Sequence, residues 1–290
     1  LEREVDLCEE VARVIGYDNI PSSTRFSASY KSFVKDQYEL DALLRSQLHA
    51  NGYHEHYSNS LQHEDYTHHF LGGEAVQLKN PLSQDMEFVR SSILPGLLMA
   101  ASYNEKRQEK GFKLFEVGAI HNQSKKSKTG SSEKFHLGLL WYGETSMHWR
   151  TFEERDIFRH KGEIAQILHS IGIGYISFKV GNETGFQSSM KIYSGKTQIG
   201  SMGMPDSKLL KEYDLNVAPV VCDLSLHIMR DIWKNRKTAY KAPAAFPSMT
   251  RDIALQVSRE LPAEDLLKTI WKHGGNTLVH VSLFDVYQSE

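Results

Sequence analysis

Two β-rich runs, "GFKLFEVGAIHN" (residues 111–122) and "EKFHLGLLWYGE" (133–144), flank the polar stretch "QSKKSKTGSS". Apolar and aromatic runs bounded by turn-forming residues read as strands, and a connection rich in Ser, Lys and Gly reads as an exposed hairpin loop rather than a structured site. Antiparallel pairing follows from so short a connection, so the middle of the chain must build a sheet. The elements downstream agree. "MKIYSGKTQIGSMGMP" reads as a second hairpin turning at Ser194-Gly195, and "APVVCDLSL" as a strand running into a helix at "HIMRDIW". Between the hairpins, "ERDIFRHKGEIAQILHSIGIG" carries Ile157, Ile164, Ile167, Leu168 and Ile171 at helical spacing and stops at Gly172, and "YISFKV" follows as a strand. Upstream, Gln37 to Ala50 is helical with Leu40, Leu43, Leu44 and Leu48 as its stripe, and another helix begins after Pro95-Gly96. An antiparallel sheet with interspersed helices is an α+β pattern.

At 290 residues the chain exceeds the ~100 to 200 of one domain, so more than one folding unit is expected. The basic, Pro-containing "NRKTAYKAPAAFP" reads as a linker. Beyond it lie "TRDIALQV" as a strand, a helix from Pro262 through His273, and "LVHVSLFDVY" as a second strand: β, α, β. No apolar run approaches the ~18 residues needed to cross a bilayer, two cysteines make no disulfide framework, and the first twenty residues lack a secretion-signal core. A cytoplasmic protein without a membrane partner is expected. A net charge of −2 argues against a surface that binds nucleic acid all over, while leaving room for one basic face.

Candidate chemistry starts at the first helix, Leu1 to Ile15, where Asp6, Glu9 and Glu10 share one face. Like charges at i, i+3 and i+4 repel, so something must compensate. Arg13, four residues after Glu9 and three after Glu10, offers a surface ion pair; a hard cation such as Mg2+, which keeps several waters and tolerates an incomplete protein cage, is the other reading. His54, His56, His63, His68 and His69 fall within sixteen residues but lack zinc-ligand spacing. Cys222, inside an apolar run, reads as a buried inert thiol. There is no nucleophile elbow, P-loop or dinucleotide fingerprint. The runs "KKSK" (125–128) and "KNRK" (234–237) could meet phosphate or simply face water. Open at this point are a stand-alone metal-dependent hydrolase, an RNA-binding module, and a non-catalytic region of a larger enzyme.

The order of the phrases is more specific than any one of them. "DLCEEVARVIGYDNIP", "LKNPLSQDMEFVRSSILPGLL", "YNEKR", "FKLFEVGAIH", "RDIFRHKGEI", "FPSMTRDIAL" and "LFDVYQSE" together resemble the bacterial phenylalanyl-tRNA synthetase β subunit family over essentially the whole chain. The resemblance implies three parts: residues 1–24 as the end of a DNA-binding-like B5 domain, 25–240 as a non-catalytic module built like a class II synthetase core, with an antiparallel sheet and flanking helices, and 241–290 as the first half of a ferredoxin-like anticodon-binding domain, a truncated βαβ. The family's editing domain is then expected upstream of Leu1. Because the family's last domain is a double βαβ, residues 251–257 and 279–287 are expected to lack some sheet neighbours. The resemblance also implies that Asp6, Glu9 and Glu10 serve a magnesium ion shared with an α subunit, with one further ligand before Leu1. ATP is expected on that α subunit, in an α2β2 heterotetramer that attaches phenylalanine to its tRNA. Catalysis by this chain itself is not expected. Class II activation needs an arginine in an F-R-x-E loop and another after a glycine-rich strand, and neither is present around Glu116 or Arg230. Leu94, Leu97 and Leu98 are candidates for core or interface, with core the default.

Overall fold

A computed structural model describes residues 3–28, 38–70, 73–143, 157–236, 240 and 242–287. Contacts divide the chain into two units, Leu1–Lys237 and Thr238–Glu290.

In the first unit the helices are α1 (Glu4–Ile15), α2 (Tyr38–Ala50), α3 (Leu94–Glu105), α4 (Ile157–Ser170), α5 (Ser207–Glu212) and α6 (Leu226–Lys234). The strands are β1 (His54–Glu55), β2 (Leu61–Gln62), β3 (Val76–Gln77), β4 (Phe88–Val89), β5 (Gly111–Gln123), β6 (Ser131–Gly143), β7 (Ile176–Gly181), β8 (Phe186–Ser194), β9 (Thr197–Pro205) and β10 (Val220–Ser225). Seven of them form one sheet in the order β1-β5-β6-β10-β9-β8-β7, and β2-β4-β3 form a small second sheet. The long hairpin pairs residue for residue from Gly111 opposite Gly143 to Gln123 opposite Ser131. The second hairpin turns one residue later than its sequence suggests, with Ser194 opposite Thr197 and Gly195-Lys196 between them. The expectation of a purely antiparallel sheet is corrected at one edge: β1 runs parallel to β5, His54 beside Leu114. Between β1 and β5 the chain passes through the small sheet and α3, a crossover long enough to bring it back in the same direction, whereas the other neighbouring strands of the large sheet pair antiparallel.

The sheet is buried on both sides. Successive side chains alternate faces, so Phe115 and Val117 of β5, Leu137, Leu139 and Trp141 of β6, and Cys222 and Leu224 of β10 pack with α2, α4 and α6. Leu114, Ile120, Leu140, Tyr142 and Val221 point the other way, into a core made with α3 and α5. Leu94, Leu97 and Leu98 are core residues there, each at most 2% exposed. Helix α3 crosses the sheet at Gly138, where an added Cβ would lie 2.6 Å from Ile93 Cγ2 and 2.8 Å from Leu97 Cδ1. Helix α5 has no apolar run long enough to announce it. It forms because the Asp206 carboxylate accepts from the backbone N–H groups of Lys208 and Leu209.

Polar anchors fasten the helices. Glu163 of α4 takes Lys113 Nζ at 2.5 Å and Trp141 Nε1 at 3.1 Å. Burial alone would raise its carboxyl, but the neighbouring His160, Lys113 and Trp141 outweigh that and hold it down at about 2. Glu105 at the end of α3 accepts from Tyr142 Oη and from the backbone N–H groups of Asn216 and Val217, pinning the segment that leads into β10.

Helix α1 ends at Gly16, whose φ of 90° closes the last turn onto Ala12 O. It buries no residue: Val5, Leu7, Val11, Val14 and Ile15 are each at least half exposed.

The second unit contains α7 (Ala263–His273), capped by Pro262 and Gly274 as its sequence predicts. The strands expected at 251–257 and 279–287 do not form: those residues are extended but make no ladder among the described residues. The βαβ reading keeps its helix, while its two outer segments stay unpaired among the described residues, where the sequence led us to expect missing sheet neighbours. Alternating side chains suit a half-buried strand, yet a strand exists only where a second backbone offers its N–H and C=O groups about 4.8 Å away.

Candidate functional site

An antiparallel sheet that activates an amino acid must leave cationic groups free to meet phosphate. The deepest cations here are already used. Glu116 of β5 is 2% exposed and points to the α3 side, where Arg90, just past β4, reaches it with Nη1 at 2.5 Å. Ser58 completes the cluster, donating its hydroxyl to Glu116 Oε2 at 2.7 Å and accepting from Arg90 Nη1 at 2.9 Å. Arg90 Nε donates to Ala119 O at 2.8 Å. Two glycines make the room: a Cβ at Gly118 would sit 2.0 Å from Arg90 Nη2, and one at Gly96 would sit 2.5 Å from Ser58 Oγ. On the other face Arg230 of α6 holds Asp41 of α2 with Nη2 at 2.6 Å and Nε at 3.2 Å, its guanidinium 5.0 Å from the Phe135 ring centre. Both arginines therefore join elements distant in sequence, and each is held by a carboxylate. A cleft of about 660 Å3 lies beside the Arg90 cluster, with His56, Gln62, Tyr66, Met99 and Tyr103 among its walls. Among the described residues its deep cation is Arg90, neutralised by Glu116.

The acidic face of α1 lies as its spacing predicts, with a different distribution of partners. Asp6 Oδ1 takes Arg3 Nη2 at 2.8 Å, and Glu10 Oε2 takes Arg13 Nη2 at 2.6 Å. Arg13 thus pairs with Glu10, and Glu9 has no partner among the described residues. The donor type suits Mg2+, and among the described residues no three acidic, His or Cys side chains form a group that could hold a metal ion by themselves.

The histidines disperse. His54 is exposed, His56 is half-buried in the wall of the cleft, and His63 Nδ1 accepts from Asp65 N. His69 is buried between Tyr213 Oη at 2.8 Å and Glu212 Oε1 at 3.1 Å. A hydrolase that needs them together with Asp6, Glu9 and Glu10 has no support in this placement. Cys222 is fully buried, and burial pushes its thiol up, as expected of an inert one. Of the two basic runs, Lys125, Lys126 and Lys128 are exposed, whereas Arg236 lies 3.6 Å over the Trp233 ring and donates to Trp233 O; Lys237 lies outside the described residues. None of the described helices is long and apolar enough to cross a membrane.

Sequence reading missed the Arg90–Glu116 and Arg230–Asp41 pairs. A signal existed: each is a charged residue with apolar neighbours nearby, in "EFVRSSIL" with "KLFEVGAI" and "YELDALL" with "HIMRDIW". A charge in such a run needs an opposite one.

Residues 20–226 match the model of the phenylalanyl tRNA synthetase beta chain CLM domain, and residues 244–290 match that of the ferredoxin-fold anticodon binding domain. The phenylalanine–tRNA ligase beta subunit of Shewanella oneidensis is 32% identical over 98% of this chain and 36% of its own length. That of Francisella tularensis is 28% identical over 100% of this chain and 36% of its own length. The chain therefore spans a little over a third of these relatives. The pyrrolysyl-tRNA synthetase of Desulfitobacterium hafniense shares the fold at a TM-score of 0.55 and 16% identity, covering 68% of this chain and 69% of that one.

Proposed function

Because the chain belongs to the phenylalanyl-tRNA synthetase β chain family, we propose that it is a region of the β subunit of a phenylalanine–tRNA ligase that organises the enzyme and performs no chemistry itself. One observation carries this reading: Arg90 and Arg230, the deep arginines of a synthetase-like sheet, are each held by a carboxylate. Neither of these two arginines is free to meet charge developing on a reacting phosphate, and electrostatic stabilisation of that kind is worth several kcal/mol.

Activation with ATP then falls to an α subunit, against which residues 25–240 pack in a cytoplasmic α2β2 assembly, while residues 241–290 help position tRNA. Residues 1–24 would belong to the preceding domain. Asp6, Glu9 and Glu10 are this chain's share of a magnesium site completed by other residues. Two features support that: Glu9 is unpaired among the described residues, and the Arg3 and Arg13 side chains are 76% and 63% exposed. Helix-surface pairs of this kind contribute only ~0.2 to 0.5 kcal/mol, so an incoming cation displaces them at little cost.

Mixing the chain with a phenylalanyl-tRNA synthetase α subunit should give a complex whose mass by light scattering includes both. Failure to associate, or aminoacyl-adenylate formation by this chain without a partner, would overturn the reading.

A further inference from the structure

The β5–β6 hairpin ends in a tip that the sheet does not use. The ladder between β6 and β10 stops at His136 opposite Ser225, so residues 131–135 continue past it, a projection of roughly 16 Å at about 3.3 Å per residue. The β5 arm is braced, with Gln123 N donating to Glu74 O at 2.8 Å and Gln123 Nε2 to Ala75 O at 3.0 Å. The loop is braced as well: Ser124 N donates to Gly130 O at 2.8 Å, and the Ser127 and Thr129 hydroxyls lie 2.9 Å apart. On this ordered platform stand Lys125, Lys126 and Lys128, all exposed and none ion-paired among the described residues. From Gln123 to Lys134 the hairpin carries four lysines and a single acid, Glu133, in a chain whose overall charge is −2.

We propose that this tip is a contact site for the phosphate backbone of an RNA, a proposal that rests on the reading of the chain as part of a tRNA ligase. The chemistry selects the partner. "QSKKSKTGSS" holds no apolar or aromatic residue, and protein interfaces are depleted in lysine and depend on such anchors. A phosphate backbone needs only positive donors at the right reach. A fixed loop also loses little conformational freedom on binding. Lysine ammonium groups act as point charges, so the contact supports RNA affinity without reading sequence.

The test uses the full-length β subunit assembled with its α partner, with tRNA binding measured by anisotropy across a salt series. Changing Lys125, Lys126 and Lys128 together to Ala should weaken binding at least tenfold at low salt. It should also flatten the dependence of log affinity on log salt by about two, given roughly 0.7 to 0.9 per phosphate contact. The triple change to Arg should keep both. In parallel, tRNA should protect these lysines from acetylation and leave Lys196, exposed at the β8–β9 turn, reactive. Unchanged affinity and slope, in an assembly that does bind tRNA, overturn the RNA contact and leave the proposed function standing. Loss of α-subunit association with an unchanged salt slope also overturns it, in favour of a protein partner. An unmodified assembly without tRNA affinity overturns both.

Discussion

The β5–β6 hairpin and residues 251–257 of the second unit carry the same kind of pattern, and only one of them is a sheet. In the hairpin, Leu140 is 0% exposed, with a paired backbone on both edges of its strand. In the second unit, Leu255 is 51% exposed and its segment joins no ladder. A helix supplies its own hydrogen bonds, which is why α7 forms where its sequence places it. A strand cannot, so its pattern is a statement about a partner as much as about itself. The same contrast separates charges. Glu116 in the closed sheet must have Arg90, whereas on α1, a helix that buries nothing, Asp6 and Glu10 are held only by exposed arginines.

The contrast can be broken most forcefully at Glu116. Replacing it with Ala leaves Arg90, 6% exposed, charged and unpaired, and should cost ~3 to 5 kcal/mol in a urea titration. A loss below ~1 kcal/mol would mean that Arg90 reaches water and that the sheet is not closed on this side. A matched pair sharpens the comparison directly. Leu140→Ala should lower stability by about 3 kcal/mol through lost burial and a residual cavity, while Leu255→Ala should stay within about 0.5 kcal/mol. Equal effects would show that both segments pack alike. The smallest of the three effects is a pH dependence. The Glu163 carboxyl is depressed from an ordinary 4.5 to about 2, so its stabilisation is complete above 4.5 and is lost as pH falls from there towards 2. Comparing the protein with Glu163→Gln over that window should reveal a loss of stability with acid that the variant lacks. Parallel pH profiles would show that α4 is fastened by packing alone.

Much of the candidate chemistry was legible as residue types and little of it as arrangement. The i, i+3, i+4 spacing places Asp6, Glu9 and Glu10 on one face without saying that Arg3 and Arg13 would take two of them. Five histidines within sixteen residues suggest a cluster, but the chain turns through β2 and a short 3-10 helix between them and sends His69 alone inward to Tyr213. Helix α5 was missed because a single carboxylate cap makes it, with only six residues and no stripe to see.

Local periodicity and turn chemistry were enough to determine α2, α3, α4, α6 and α7, both long hairpins and the apolar stripes that became the core. They suffice because those features rest on hydrogen bonds and side-chain directions within a few residues of each other. The tertiary structure alone decided the parallel edge strand, the pairing of Arg90 with Glu116 across 26 positions and of Arg230 with Asp41 across 189, and the absence of a ladder among the described residues of the second unit. Each of these depends on which distant backbone or charge arrives alongside, a matter of three-dimensional packing that no short window of sequence contains.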